Sequence, residues 1–236
     1  MENNVWTSVS DLFSGLMIVF LFIAIAMMLE TEKESDAVKD LELELNDIAD
    51  RFYKDKILIY KSLKEEFEHD FERWDAELTE DLSIRFKNPD ILFKNGSFKL
   101  SNKFELIIEN FWPRYLKIIS SNLNNISYVS IEGHTSSFWC SSCSDKKSYF
   151  KNMELSQKRA YSVLEHCWSV TGEKKVVKDI VVASGLSYSR PVFVDGVESP
   201  ELSKRVEFSI KLNAEKNLDI IRSISSKDII KNKSKR

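Results

Sequence analysis

Residues 11–29 read DLFSGLMIVFLFIAIAMML, one carboxylate followed by eighteen residues without a charge. Within the run Leu12–Leu29 only Ser14 and Gly15 are neither aliphatic nor aromatic. At about 1.5 Å per helical residue the run spans roughly 27 Å, and with Val9 and Ser10 it matches a hydrocarbon core of about 30 Å. The stretch therefore predicts a single transmembrane helix over 11–29, preceded by a short N-terminal segment, 1–10. An acid at the head of such a helix costs about 2.5–3.5 kcal/mol at mid-depth and less near the edge, so Asp11 is either functional or snorkelling. Ala24 and Ala26 are small enough for a signal-peptide cleavage site. Met1–Ser10, however, carries Glu2 and no Lys or Arg, and the apolar core is long, so an uncleaved anchor is expected. Beyond the run come Glu30, Glu32, Lys33, Glu34 and Asp36, a flank that scarcely sets orientation by charge.

Outward from the anchor, Glu30–Asn88 contains neither Pro nor Gly and is rich in Glu, Lys, Asp and Leu, which predicts a helical spacer over 30–79. Val38, Leu41, Leu45, Ile48, Phe52 and Ile59 recur at spacings that suit a coiled coil, with Asp55 interrupting, or an amphipathic helix lying on the following domain. Residues 80–213 alternate strand and helix patterns and form one α+β domain. Leu82, Ile84 and Phe86 alternate as a strand, with turns at Asn88–Asp90 and Asn95–Ser97. Ser101 is a plausible N-cap for a helix to Ile119, with Pro113 as a kink or break. A buried strand ends at Gly133, a polar loop covers Thr135–Lys151, and a helix runs from Met153 to about Thr171. Ile180–Ala183 reads as strand, Ser184–Pro200 as irregular loop, and Arg205–Leu212 as a last strand. A basic tail, 214–236, carries Lys227, Lys231, Lys233, Lys235 and Arg236 and reads as a solvated, frayed end, with contact to an anionic polymer or a lipid surface as the alternative.

Composition narrows the chemistry. With 34 Lys plus Arg against 37 Asp plus Glu the net charge is −3, and the charges are interspersed, which argues against a nucleic-acid partner. There is no Gly-rich phosphate loop, and His69, His134 and His166 make no pattern of a nucleophile or metal centre, so neither an enzyme nor a cofactor is expected. Cys140 and Cys143 form a C-x-x-C, but a zinc site needs four ligands and only His134 is near, so no metal is expected. In an oxidising compartment Cys140, Cys143 and Cys167 would give one disulfide and one free thiol. A structural disulfide is expected, with three pairings open; a bond from Cys140 or Cys143 to Cys167 would tie loop to helix.

Asn152, Leu155 and Arg159 fall at spacings of three and four, on one helical face with Val163 and Cys167. An Arg in an apolar stripe calls for an anion, and its planar fork of donors suits a carboxylate. The alternatives are a snorkelling side chain or an internal pair with Glu132 or Asp195.

The segments Ile131-Glu132-Gly133-His134-Thr135, Asn152-x-x-Leu155-Ser156-x-x-Arg159-Ala160, Gly185 with Pro191, and Arg205-Val206-Glu207-Phe208 together resemble the OmpA-like peptidoglycan-binding domain. The resemblance covers roughly residues 80–212 and implies an α/β sandwich that binds the free carboxylate of the peptide stem. Arg159 would pair that carboxylate, and Asn152 and Leu155 would shape the pocket. Ser136 stands where the family has an Asp that holds the stem's ammonium group, and Ser203-Lys204-Arg205-Val206 replaces its Asn-Arg-Arg-Val. A short N-terminus, one span with an acid at its entrance, a helical spacer and this domain is also the layout of MotB-type stator subunits. Trp6 and Ser10–Met17 are similar to their ion-carrying segment. The start lacks the longer basic tail of flagellar members, and Ser10–Met28 with Gly133–Ser137 looks more like the B-subunit family of Zorya anti-phage defence systems. The resemblance implies a homodimer held in the bacterial inner membrane, N-terminus cytoplasmic and C-terminal domain periplasmic. It also implies a separate multi-span A-type subunit, a proton or sodium ion carried by Asp11 with Ser14 one turn on, and a grip on peptidoglycan. A flagellar-type stator subunit or a passive tether between membrane and wall are the alternative roles.

Overall fold

The computed structural model describes residues 2–94, 97–172 and 174–213. The basic tail, 214–236, and the Asn95-Gly96 pair of the expected turn lie outside the described residues. The chain divides into two units, of which one holds residues up to Arg51 and the other spans Phe52–Asp219. Helix α1, Glu2–Trp74, contributes to both.

In the first unit α1 holds one stretch long and apolar enough to cross a membrane. Leu12, Phe13, Met17, Phe20 and Phe22 are all exposed, as an apolar surface made for lipid would be. The hydroxyl of Ser14 donates to the carbonyl of Ser10 at 2.9 Å, so it satisfies its own helix backbone.

The second unit is α+β. Its elements are β1 (Ala76–Leu78), β2 (Ser83–Phe86), α2 (Pro89–Leu92), α3 (Asn102–Ser121), β3 (Ile126–Gly133), α4 (Asp145–Ser169), α5 (Lys174–Ile180), β4 (Val181–Gly185), β5 (Phe193–Val194), β6 (Val197–Glu198), α6 (Pro200–Ser203) and β7 (Val206–Leu212). Five strands make one sheet in the order β1-β2-β7-β3-β4, antiparallel except for β3 with β4, and β5–β6 is a separate hairpin. Alternation along the strands separates two faces. Ile84, Phe86, Val129, Ile131, Val206, Phe208 and Ile210 enter the apolar core. Ser83, Arg85, Ser130, Glu132, Glu207 and Ser209 occupy the intervening, opposite-facing positions.

The core is aromatic. Phe111 of α3 stands 4.9 Å from Phe208 and 5.4 Å from Phe86, ring centre to centre, in edge-on contacts. Phe67 of α1 lies 5.1 Å from Phe111, and Ile59, Leu63 and Trp74 are buried in the same core. The expected spacer boundary at residue 79 therefore divides the chain differently from the packing: Phe52–Trp74 is part of the compact unit, because its apolar stripe covers the sheet's helical layer. Ser101 caps α3 by accepting from the Phe104 amide, and Pro113 sits inside that helix without ending it. α4 begins eight residues before the expected Met153, because Ser144 caps it by accepting from the Lys147 amide and Asp145 complements the first turn. The expected irregular loop 184–200 contains the β5–β6 hairpin, turned by Asp195 and Gly196 at φ of 49° and 80°.

Candidate functional site

α4 can lie against the sheet only because two glycines face each other beneath it. Gly133 of β3 and Gly185 of β4 are cross-strand partners. A Cβ on Gly133 would stand 2.3 Å from the Ser156 carbonyl oxygen, and one on Gly185 2.4 Å from the Gln157 amide nitrogen. The close approach buries Asn152, Ser156, Arg159, Ala160, Val163 and Cys167, while Leu155 is half-buried. Ser187, at φ 51°, is the hub on the other side. Its amide donates to the Ser156 hydroxyl at 3.0 Å, its hydroxyl to the Tyr149 carbonyl at 3.1 Å, and its carbonyl accepts from the Thr135 amide at 2.9 Å. Thr135 is thereby held over the turns of α4 that carry Asn152.

The site is short of partners. Arg159 Nε donates to the Ser97 carbonyl at 3.1 Å and the guanidinium lies 4.7 Å from the centre of the Phe93 ring. Among the described residues neither Glu132 nor Asp195 pairs with it. Burial pushes its pKa down to about 10. Among the described residues the buried Asn152 amide nitrogen and Thr135 hydroxyl likewise have no hydrogen-bond partner. A planar cation with no carboxylate against it among the described residues, an amide donor and a hydroxyl, all desolvated, are groups of the kind that bind a carboxylate. Asn152 and Arg159 carry a sequence signal through their spacing. Thr135 and Ser156 lie within the recognised motifs without a role assigned to them, and Phe93 has no local signal.

A second polar cluster lies at the end of β3. Glu132 and Glu207 are cross-strand partners, a like-charge pairing that would repel. Arg205 and Arg85 both bond Glu207 Oε1, the latter at 2.9 Å, and Arg190 reaches Glu132 at 3.3 Å. His134 Nε2 stands 3.7 Å from Glu132 and 3.8 Å from Glu207. Burial holds the His134 pKa below its usual value, with Arg205 adding to the effect against the pull of Glu132 and Glu207. For Glu132, burial would raise the carboxyl, but His134, Lys211 and Arg190 outweigh it and leave it below the carboxylate range. The three potential ligand atoms of Glu132, His134 and Glu207 lie within 4.8 Å of one another. Both carboxylates are already compensated by guanidinium groups, so the arrangement is a structural ion network rather than a cation site.

Of the three pairings left open, the structure has the one within the loop. Cys140 is bonded to Cys143, with Cα atoms 5.4 Å apart, and Cys167 is a free thiol buried in the core, where burial raises its pKa. Cys167 lies on the sheet-facing side of α4, among the residues that pack the core, where a loop cysteine could reach it only by displacing them.

No family model matches the chain. The Zorya protein ZorB of Escherichia coli (strain Crooks) is 39% identical over 219 residues, which are 91% of this chain and 90% of that protein. The chain belongs to the ZorB family. Among solved structures, a MotB-like protein from Desulfovibrio vulgaris aligns with a TM-score of 0.48 at 17% identity, over 72% of this chain and 99% of that one. The periplasmic domain of Helicobacter pylori MotB aligns with a TM-score of 0.47 at 21% identity, over 65% of this chain and 97% of that one. For this ZorB-family chain, Asp11 lies on an exposed face of α1, while Asn152 and Arg159 share the buried face of α4 in the other unit.

Proposed function

We propose that this chain is the wall-gripping stator subunit of an ion-driven motor in the bacterial inner membrane, acting in anti-phage defence. Two copies would place their Asp11 carboxylates beside a multi-span A-type subunit, since one helix cannot enclose a pore. Each carboxylate would load and release a proton or sodium ion. A unit charge crossing 100 mV releases about 2.3 kcal/mol, several times thermal energy, which suffices to bias rotation of one ring of subunits against the other. With the N-terminus cytoplasmic and the second unit periplasmic, the carboxylate of a peptidoglycan stem would enter between Arg159 and Asn152, with Leu155 against its side chain. The observation that carries this reading is Arg159 itself, a desolvated guanidinium with no carboxylate against it among the described residues.

Two substitutions test the two ends. Arg159→Ala should abolish retention of the full-length protein on purified sacculi, and undiminished retention would make the α4 face structural. Asp11→Asn should leave assembly with the A-type subunit intact while stopping ion flux through the reconstituted complex and phage protection in cells. Flux and protection that survive this change would remove the carboxylate from the mechanism and leave a tether.

A further inference from the structure

We propose that Phe138 and Trp139, with Phe193 of the β5–β6 hairpin, form a stacking platform for the sugar rings of the glycan strand, a second wall contact beside the Arg159 pocket. It rests on the wall-binding reading above. Phe138 is 66% exposed, Phe193 61% and Trp139 38%.

The loop that carries Phe138 and Trp139 is tied to the hairpin that carries Phe193. The Ser137 amide donates to one carboxylate oxygen of Glu198 at 2.9 Å, and its hydroxyl bonds the other oxygen. Glu198 is the cross-strand partner of Phe193, so the two side chains share one face of the hairpin. Phe138 therefore leaves the chain next to the residue that anchors Phe193's neighbour. The Cys140–Cys143 disulfide closes the loop behind them, and Tyr188 donates to Asp145 at 3.0 Å at its far end. A surface ordered before binding loses little freedom on binding.

Position and chemistry select the occupant. Thr135, fixed over α4 through Ser187, is three residues before Phe138, a reach of at most about 11 Å. A three-residue stem seated by its carboxylate in the pocket spans a similar length, so the sugar that bears it falls on this loop. Between Ser136 and Ser144 the loop has five serines and no charged residue. Apolar ring faces among hydroxyls suit a neutral pyranose, with its C–H face and its hydroxyl and amide groups, whereas an anionic lipid surface selects basic residues.

The test compares two soluble ligands on the full-length protein in detergent, a disaccharide–stem muropeptide and the same stem peptide without sugar, by calorimetry. The wild type should bind the muropeptide roughly fivefold more tightly than the free stem. Phe138→Ser with Phe193→Ser should erase that ratio while leaving affinity for the free stem unchanged. Phe138→Trp should keep it, and unchanged thermal melting shows that the variants fold. Equal affinities in the wild type, or a ratio that survives the double substitution, overturn the platform and leave the stem pocket standing. If neither ligand binds, the wall-binding reading fails and the platform with it. Loss of association with phosphatidylglycerol vesicles, or of self-association, with the sugar ratio intact would make the patch a lipid or protein surface instead.

Discussion

Two buried arginines in the same domain have opposite surroundings. Arg205 is bonded to the Glu207 carboxylate, to the Ser203 carbonyl at 3.1 Å and to the Arg190 carbonyl at 3.2 Å, so its charge and its donors are spoken for. Arg159 has one backbone carbonyl and one aromatic ring. Burial is nearly the same, 5% and 7% exposed, so the difference lies in the partners and not in the solvent. The first arrangement resolves a repulsion that the sheet register creates between Glu132 and Glu207, and it serves stability. The second leaves an electrostatic cost in place, which is the condition of a site waiting for an anion.

The contrast predicts opposite responses to substitution. Glu207→Ala strands Arg205 in the interior and should destabilise the domain by about 3–5 kcal/mol, read as a large fall in denaturation midpoint. Arg159→Met removes a charge with no carboxylate beside it. Its stability should stay within about 1 kcal/mol of wild type, while affinity for a stem carboxylate falls by about 1.5–3 kcal/mol, tenfold or more. If Arg159→Met unfolds the protein as Glu207→Ala does, the two arginines are alike and the pocket is not a ligand site.

A smaller effect belongs to the loop between the two regions. The Cys140–Cys143 bond closes a ring with two residues inside, for which the chain-entropy contribution is about 2 kcal/mol at most. Replacing both cysteines with Ser should lower the thermal midpoint modestly. Cys167→Ser should leave the loop disulfide in place, detectable as no change in free-thiol labelling of the native protein, since the buried Cys167 thiol does not react.

What could be seen in the sequence follows the range of the interactions. The membrane run, the Ser101 cap and the alternation Val206, Phe208, Ile210 are local patterns, and each has its element in the structure. That Arg159 and Asn152 share a face is visible because helical spacing is also local. Three features were not. Phe52–Trp74 has the same Glu- and Lys-rich composition as the spacer before it, and only contact with α3 marks it as core. The start of α4 is set by Ser144, one of five serines in its loop, and no rule of composition distinguishes the one that caps. The Glu132–Glu207 network depends on strand register, which pairs residues 75 positions apart. The Asp195-Gly196 turn was a local signal for a hairpin, and the short strands around it hid its meaning.

His134 gives the finest measure of the difference between the two regions. It faces Glu132 from β3, Glu207 from β7, and the guanidinium groups of Arg205, Arg85 and Arg190 that hold those carboxylates. Its folded pKa lies below the usual 6.5, so the unfolded chain binds a proton more readily than the folded one. Stability from this group is therefore complete above about pH 6.5 and is lost as pH falls from there toward the folded value. Glu132 is depressed as well, but its contribution is lost only as pH drops below the ordinary carboxylate value of 4.5 and through its own. Between those windows the slope of thermal midpoint against pH should carry the mark of His134, and His134→Gln should flatten it. Arg159→Met should leave the slope unchanged, because guanidinium does not titrate there. A slope that persists in His134→Gln would show that the ring is not what acid loosens, and that the ion network tolerates a proton the geometry says it should refuse.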